Sequence, residues 1–354
     1  MSYFFFLIFI ILISSAISIL KLPKLHVITF IITALFIGFR YDIGIDYYNY
    51  EKIFDSFNQV PYQIKYEPLY YILNIISPSY LWVNIFSSML ILLPLYFLCK
   101  KSKINPTIFI TIFILSDMFF SSFNIVRQMI SLSWIMFGTW YLLEKKILKF
   151  ILISIIAISF HYSSIFVIIL ILFISKANFN LYLYFTVVLL VFIVSKFNLI
   201  NNNTLTLISQ FSGYEHYFNN TSPSEGSGFK FILYFFFYLI LPFLFLNKYL
   251  TINKNNILYI RLVSVGLCFS FLALTISILY RFSYSFLYFY IILVSSILTN
   301  MSSDILKKKN ISNLIPLVLA IYIFLFIIFY SNISNETFGV KNYNWLIYEK
   351  IFIY

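Results

Sequence analysis

The sequence is poor in charged residues. Only 10% of its 354 residues are Asp, Glu, Lys or Arg, whereas a typical soluble domain has about 25%. Hydrophobic residues account for 62% of the chain. A soluble fold cannot bury that much apolar surface, so the composition excludes a soluble globular protein and predicts an integral membrane protein.

The sequence is also poor in cysteine and lacks common catalytic motifs. Cys99 and Cys268 lie far apart, at or inside predicted helices, so no disulfide framework or metal-ligand spacing is visible. HExxH, GxSxG and Walker A motifs are absent, and no DxD occurs in a soluble domain. Metalloprotease, serine hydrolase, ATPase and nucleotide-sugar transferase functions therefore lack their motifs, and we expect neither a metal nor a cofactor.

Long apolar segments separated by short polar breaks are abundant, and a segment of about 20 apolar residues crosses a bilayer as a helix. We predict an all-α, polytopic membrane protein in which residues 1–354 form a single integral domain of about twelve transmembrane helices (range 10 to 13), with interfacial helices on the outer face. The first segment, Ser2 to Leu20, has no basic start and no cleavage site, so we interpret it as a retained helix.

The predicted spans lie near residues 2–20, 25–39, 67–98, 106–121, 125–143, 148–160, 162–175, 181–195, 231–246, 257–278, 282–299 and 312–330. The third is too long for one straight crossing. We therefore expect Pro68 to Ser77 to form a short re-entrant or interfacial helix that breaks around Pro78, before the true span.

Lysine placement predicts the orientation of the chain. If the spans alternate, all basic clusters fall on one side, which the positive-inside rule assigns to the cytoplasm. These clusters are Lys21/Lys24, Lys100/Lys101/Lys103, Lys145/Lys146/Lys149, Lys176, Lys248/Lys254 and Lys307/Lys308/Lys309. Both termini and the loops 40–66 and 196–230 would then be extracytoplasmic. The net charge of +12 reports topology, and we expect membrane lipids and no nucleic acid as partners.

The strongest local signal is residues 40–50, directly after a hydrophobic span. Asp42 could hold Arg40 in place, and Gly44 allows a tight backbone turn. Asp46, with Tyr47 and the neighbouring tyrosines, offers the carboxylate and stacking groups that bind sugars. The alternative is an arginine that reaches lipid headgroups from a helix end.

Two further arginines lie at predicted outer helix boundaries. Arg127 is in the first turn of a span, where a guanidinium is costly unless it pairs with a carboxylate or a phosphate. Arg281 follows Tyr280 at another boundary. Together with Arg40, these arginines could form one anion site for a pyrophosphate, because arginine binds such oxygens bidentately. Three independent membrane anchors are the alternative.

Four outer residues could carry acid-base chemistry. Glu67 precedes Pro68, where it could equally be a helix-initiating acid. His161 lies in a short turn and could be a general base or a structural histidine. Glu215 and His216 lie in the long loop between aromatic residues, where solvated loop charges are the commoner explanation.

The order of these motifs resembles the EpsG-like, Wzy-type polysaccharide polymerases of bacterial membranes. The segment FRYDIGIDYYNY at 39–50 is similar to a family stretch that follows the second span. The segments EPLY at 67–70, VRQ at 126–128, FHYSS at 160–164 and YRF at 280–282 follow in the family's order. The chain departs from the family at Met129 and Ile130, where small residues are usual.

This resemblance implies a GT-C-like, metal-independent glycosyltransferase in the bacterial cytoplasmic membrane with an extracytoplasmic site. It would transfer a growing glycan from undecaprenyl pyrophosphate to the non-reducing end of the next lipid-linked repeat unit, and a chain-length regulator could be a partner. As a hypothesis, Arg127 and Arg281 stabilise the leaving pyrophosphate, and His161, Asp46 or Glu215 takes the acceptor proton.

Three alternatives remain at this point. A flippase or transporter of lipid-linked sugar would place ionisable groups near mid-membrane, often in repeated halves, and no repeated half is visible. A glycan ligase breaks the same carrier bond as a polymerase, so sequence does not separate the two. An acyltransferase that modifies the glycan also stays open.

Overall fold

A computed structural model describes residues 2–57, 67–177, 180–197, 232–240, 254–274, 279–306, 311–336, 339 and 344–345. These residues form two compact units, 1–168 with 305–354 and 169–304. The two units are described separately below.

The first unit begins with four helices and one short strand. They are α1 (Ser2–Ile19), α2 (His26–Gly38), β1 (Arg40–Tyr41), α3 (Tyr47–Phe57) and α4 (Pro68–Ile76). Its central helices are α5 (Tyr80–Lys101), α6 (Pro106–Leu115), α7 (Asp117–Ser121), α8 (Val126–Leu143) and α9 (Ile147–Phe160). The helix α10 (Ser164–Lys176) starts in this unit.

The second unit contains α11 (Leu181–Lys196), a π-helical segment (Phe236–Ile240), α12 (Lys254–Leu272), α13 (Leu279–Leu287) and α14 (Phe289–Leu306). In this unit α12 packs against α11, α13 and the π-helical segment. Two elements of the first unit follow along the chain, α15 (Ile311–Ser334) and β2 (Asn344–Trp345).

Local sequence signals explain several helix boundaries. Pro68 is the first residue of α4, where its missing N–H costs nothing. The chain then leaves helical geometry at Ser77 and Ser79, so residues 68–101 form two helices with a break around Pro78. Asn105 caps α6 by accepting a hydrogen bond from the Thr107 N–H. The predicted division of the third span, 67–98, into a short helix and a longer helix is confirmed by α4 and α5.

Packing in the first unit follows a continuous path. The helix α2 packs against α5, α5 against α8, α8 against α9, and α9 against the short helix α4. Gly38 lets α2 and α5 approach closely, because a Cβ there would lie 2.7 Å from the Cα of Ile85. This path brings the start of α4, the start of α8 and the end of α9 to one region.

The strands β1 and β2 form a two-residue antiparallel pair, with Arg40 opposite Trp345 and Tyr41 opposite Asn344. A further backbone hydrogen bond runs from the Gly44 N–H to the Gly339 carbonyl, 3.2 Å away. The segment that contains Gly339 and β2 is therefore attached to the 40–45 loop.

The predicted all-α polytopic membrane fold is confirmed. In the described residues, five helices are long and apolar enough to cross a membrane, and shorter apolar helices accompany them. Ten of the twelve predicted spans overlap one helix or two consecutive helices, with ends that differ by up to about seven residues. The span predicted at 67–98 divides as expected, and the span predicted at 231–246 is described only at 232–240. Cys99 and Cys268 are both free.

Candidate functional site

Glu67 lies at the centre of the cluster that this packing assembles. It occupies the N-cap position of α4, but its side chain does not cap that helix. Its carboxylate instead accepts from Arg127 of α8 and pairs with His161 at the end of α9. The Glu67 side chain is only 7% exposed. The cluster therefore joins three helix ends around one buried carboxylate.

Arg127 is the cationic partner. Its Nη1 lies 2.7 Å from Glu67 Oε2, the length of a charge-assisted hydrogen bond. The guanidinium carbon lies 5.8 Å from the ring centre of Tyr50 and 5.6 Å from that of Tyr70. These aromatic faces attract a cation, so the carboxylate and the two rings together fix the guanidinium. The Arg127 side chain is nevertheless 29% exposed.

His161 is the second partner. Its Nδ1 lies 3.3 Å from Glu67 Oε1, and its Nε2 lies 2.7 Å from the Ser163 hydroxyl. The Ser164 hydroxyl bonds to Ser131 on α8, which attaches this turn to the helix that carries Arg127. With Nδ1 donating to the carboxylate, Nε2 keeps its lone pair. The His161 side chain is 25% exposed.

The charge on Glu67 is stabilised by these neighbours. Burial acts to raise the pKa of the Glu67 carboxyl, but the hydrogen bond from His161 and the positive charge of Arg127 outweigh it. The pKa of Glu67 therefore lies below its ordinary value. The carboxylate stays ionised near neutral pH and can hold both partners at once.

This arrangement suits acid-base and anion chemistry. A buried carboxylate that orients a histidine leaves the far ring nitrogen as a proton acceptor, the relationship found in catalytic triads. The partly exposed guanidinium beside it can stabilise an anion. No group of three or more His, Cys, Asp or Glu that could hold a metal ion occurs in the described parts of the chain.

The predicted pairing of Arg40 with Asp42 is wrong. Arg40 is 1% exposed, its Nη1 donates to the Ile37 carbonyl at 3.0 Å, and its guanidinium lies 5.6 Å from the Phe123 ring centre. Asp42 instead adopts a left-handed backbone with φ +50° and makes no ion pair with Arg40. Arg40 satisfies the carbonyl end of α2, a favourable place for a cation.

The loop after Arg40 leads toward the cluster. Gly44 has φ +107°, as the predicted tight turn requires, and a Cβ there would collide with the Phe123 carbonyl. Asp46 precedes α3 and accepts from the Asn49 side chain at 3.4 Å. Tyr47 is buried, and its backbone carbonyl accepts from the Tyr80 hydroxyl at 3.1 Å. Asp46 and Tyr47 thus start the helix that presents Tyr50 to Arg127.

The structure describes two of the four remaining predicted site residues. Tyr280 and Arg281 are in α13 of the second unit, where the Tyr280 and Tyr284 rings lie 4.4 Å apart. Glu215 and His216 lie outside the described residues. The cluster thus combines three of the predicted residues, Glu67, Arg127 and His161.

Three residues of the cluster were missed by the sequence interpretation. Tyr50 and Tyr70 face Arg127, and Ser163 contacts His161. Tyr70 stands one helical turn after Glu67, so the Glu-Pro start of α4 was a usable signal for it. Tyr50 lies in the 40–50 segment that the sequence singled out, but nothing there distinguished it from the neighbouring tyrosines.

Comparison with known proteins gives one family. Residues 23–348 match the sequence profile of the EpsG family. No curated protein and no solved structure matches the chain significantly. The match covers most of the sequence and includes every residue of the Glu67 cluster. The chain therefore belongs to the EpsG family, a membrane protein family whose function is of the polysaccharide polymerase type.

Proposed function

We propose that this protein is a glycosyltransferase that polymerises lipid-linked repeat units. It transfers the growing glycan from undecaprenyl pyrophosphate to the non-reducing end of the next lipid-linked repeat unit. The observation that carries the proposal is the cluster of Arg127, Glu67 and His161, which combines an anion-binding cation with an oriented base. Membership of the EpsG family supports a polysaccharide polymerase-type reaction.

The cluster provides the groups that this reaction needs. The acceptor hydroxyl forms a bond to the anomeric carbon of the donor glycan while the bond from that carbon to the pyrophosphate oxygen breaks. The pyrophosphate leaves with the bonding electron pair, and Arg127 stabilises its charge. His161 Nε2 takes the acceptor proton, directly or through the Ser163 hydroxyl that now contacts it. Glu67 keeps both residues in place.

The ends of α8 and α9 support an extracytoplasmic site. Arg127 begins α8 and His161 follows α9, whereas Lys145 and Lys146 lie in the turn at the opposite ends of both helices. Both lysines are exposed. The positive-inside rule assigns the lysine end to the cytoplasm, so the Glu67 cluster belongs on the outer side of the bacterial cytoplasmic membrane.

The test uses purified full-length protein in nanodiscs, supplied with pyrophosphate-linked repeat units from the host. We expect a ladder of glycan lengths on a gel. The Arg127→Ala variant should lose the ladder, about 10²-fold or more in rate, because the leaving group loses its cation. The Lys149→Ala variant removes an exposed charge near the other end of the α8–α9 pair, and it should retain the ladder.

Two results would contradict the proposal. Folded wild-type protein that leaves the single repeat unit unchanged would favour a transporter or a ligase without its acceptor. Full activity of Arg127→Ala would separate the reaction from the Glu67 cluster.

A further inference from the structure

A chain of close backbone contacts connects the far C-terminal part of the sequence to the Glu67 cluster. We infer that the segment around Gly339 and β2 positions this cluster through the 40–45 loop and the turn before α8. The three pieces are here called the brace, defined as Gly339 with β2, residues 40–45, and residues 123–125. The inference rests on the proposed function only in its catalytic part, because the reaction that the brace would affect is the proposed one.

The first contact of the brace joins Gly339 to the loop. The Gly44 N–H donates to the Gly339 carbonyl, and β1 pairs with β2 nearby. Gly339 has φ +65°, a conformation that other residues adopt at a cost. A Cβ at this position would lie 2.8 Å from the Ile45 nitrogen and 3.1 Å from the Gly44 carbonyl carbon. Only glycine therefore allows the two backbones to approach this closely.

The second contact joins the loop to the turn before α8. The Ile45 N–H donates to the Asn124 side-chain oxygen at 2.5 Å, and Gly44 lies against the Phe123 carbonyl. Arg40, buried in the same loop, lies over the Phe123 ring. Asn124 is three residues before Arg127. The side chain of one turn residue thus holds the loop backbone beside the first turn of α8.

The loop acts on the Glu67 cluster from two directions. Along the chain it continues into α3, whose Tyr50 ring faces the Arg127 guanidinium and packs 6.0 Å from the Tyr70 ring. Across space it contacts the turn that leads into Arg127. If the brace loosens, the ring that covers Arg127 and the start of α8 lose their shared support. Gly339 and Asn124 are therefore positioning residues for Arg127.

The family match agrees with this inference. It extends to residue 348 and so includes Gly339 and β2, although the Glu67 cluster itself ends at residue 163. The matched region therefore spans both the brace and the Glu67 cluster.

The first experiment measures how tightly the brace holds α3 in place, and it does not require polymerisation activity. A Cys99→Ala/Cys268→Ala background receives Tyr50→Cys, and the labelling rate of this cysteine by a maleimide is followed in nanodiscs. Tyr50 is 8% exposed, so labelling in the intact brace should be slow. Gly339→Val would push the 40–45 loop away, and Asn124→Leu removes the acceptor of the Ile45 N–H together with the donor to the Phe120 carbonyl. Each should raise the rate roughly 3- to 10-fold, on the order of one net hydrogen bond.

Two variants serve as matched controls. Asn124→Asp keeps the oxygen that accepts from the Ile45 N–H but loses the Nδ2 donor to the Phe120 carbonyl, so its labelling rate should fall between the background and Asn124→Leu. Gly138→Ala adds a methyl group in the middle of α8, 3.2 Å from Ile153 Cγ2 and more than three helical turns from Asn124, so it should leave labelling unchanged.

The catalytic readout uses the same substitutions with Tyr50 restored. Asn124→Leu should lower the rate of ladder formation at saturating substrate roughly 3- to 10-fold at equal amounts of folded protein, and Asn124→Asp, which keeps the acceptor of the Ile45 N–H, should recover part of the loss. Unchanged labelling in Gly339→Val and Asn124→Leu would overturn the inference. Faster labelling with an undiminished ladder would also overturn it, because the brace would then not position Arg127. An inactive wild type with the expected labelling pattern would refute the proposed function alone.

Discussion

Replacing Glu67 by glutamine should show how much the negative charge of Glu67 contributes to the reaction, because the substitution removes the charge and keeps the side-chain shape. The glutamine side chain has almost the same volume, so the 7% exposed site can accept it without a cavity. Its carbonyl oxygen can replace only one of the two carboxylate oxygens that now bond to Arg127 and His161. The amide NH₂ group must face the other partner, and both partners donate hydrogen bonds to the carboxylate.

Both orientations of the amide impair the cluster. If the oxygen faces Arg127, the amide NH₂ faces His161 Nδ1, which must become an acceptor. The ring proton then moves to Nε2, and the general base, worth about 10²- to 10⁴-fold, is lost. If the oxygen faces His161, two donors meet at Arg127 at a cost of about 1 to 3 kcal/mol, which corresponds to roughly 5- to 150-fold. We expect a loss of about 10²-fold.

The assay is the rate of ladder formation by the reconstituted full-length protein at saturating lipid-linked repeat unit. The Glu67→Asp variant keeps the charge but is one methylene shorter, so it should fall between the wild type and Glu67→Gln. Equal thermal unfolding of the variants in nanodiscs would confirm that they are folded. A Glu67→Gln rate above half that of the wild type would refute this reasoning, because neither the proton position nor the Arg127 pair would then matter.

Three further predictions concern charge and packing. Arg127→Lys keeps the charge but loses the planar fork, so ladder formation should fall at least about tenfold, and a wild-type rate would contradict the bidentate role. Because the pKa of Glu67 is lowered by folding, Glu67 should stabilise the protein above its ordinary pKa and lose this effect as pH falls through its folded pKa. The unfolding-temperature difference between wild type and Glu67→Gln should therefore persist at about pH 5 and above and shrink only at lower pH. A difference that already disappears at pH 6 would contradict the assignment. Gly38→Ala should lower the unfolding temperature by the equivalent of about 1 to 3 kcal/mol, because its Cβ meets the Ile85 backbone at 2.7 Å, and Gly138→Ala, whose Cβ lies 3.2 Å from a side chain, should lower it less. Equal unfolding temperatures would contradict the close packing of α2 on α5.

The helices were predicted well because each one is determined by signals within its own stretch of sequence. Apolar length marks the spans, and Pro68 with the break around Pro78 marks where a long apolar segment divides. The contacts of Glu67 depend instead on residues 60 and 94 positions away in the chain. The residue types suggested chemistry at Arg127 and His161, but only the packing of α4, α8 and α9 shows that one carboxylate serves both.

The interpretation of Arg40 failed for a related physical reason. Asp42 is close to Arg40 in sequence, and proximity suggested an ion pair. The backbone turns to φ +50° at Asp42, and Arg40 Nη1 donates instead to the Ile37 carbonyl at the end of α2. The two-residue strand pair was also invisible, because β2 lies about 300 residues from its partner and two residues carry no periodic signal.

The ends of α8 and α9 must stay side by side for Arg127 and His161 to contact Glu67, and this limits where residues can be inserted into or deleted from the chain. Arg127 begins α8 and His161 follows α9, and the turn between the two helices closes at their far ends. One residue added within α9 would rotate everything after it by about 100° and shift it by about 1.5 Å, which would turn His161 away from Glu67. One residue added at Lys145 need not disturb either helix. Length variation among relatives should therefore concentrate at the lysine turn and avoid the two helices.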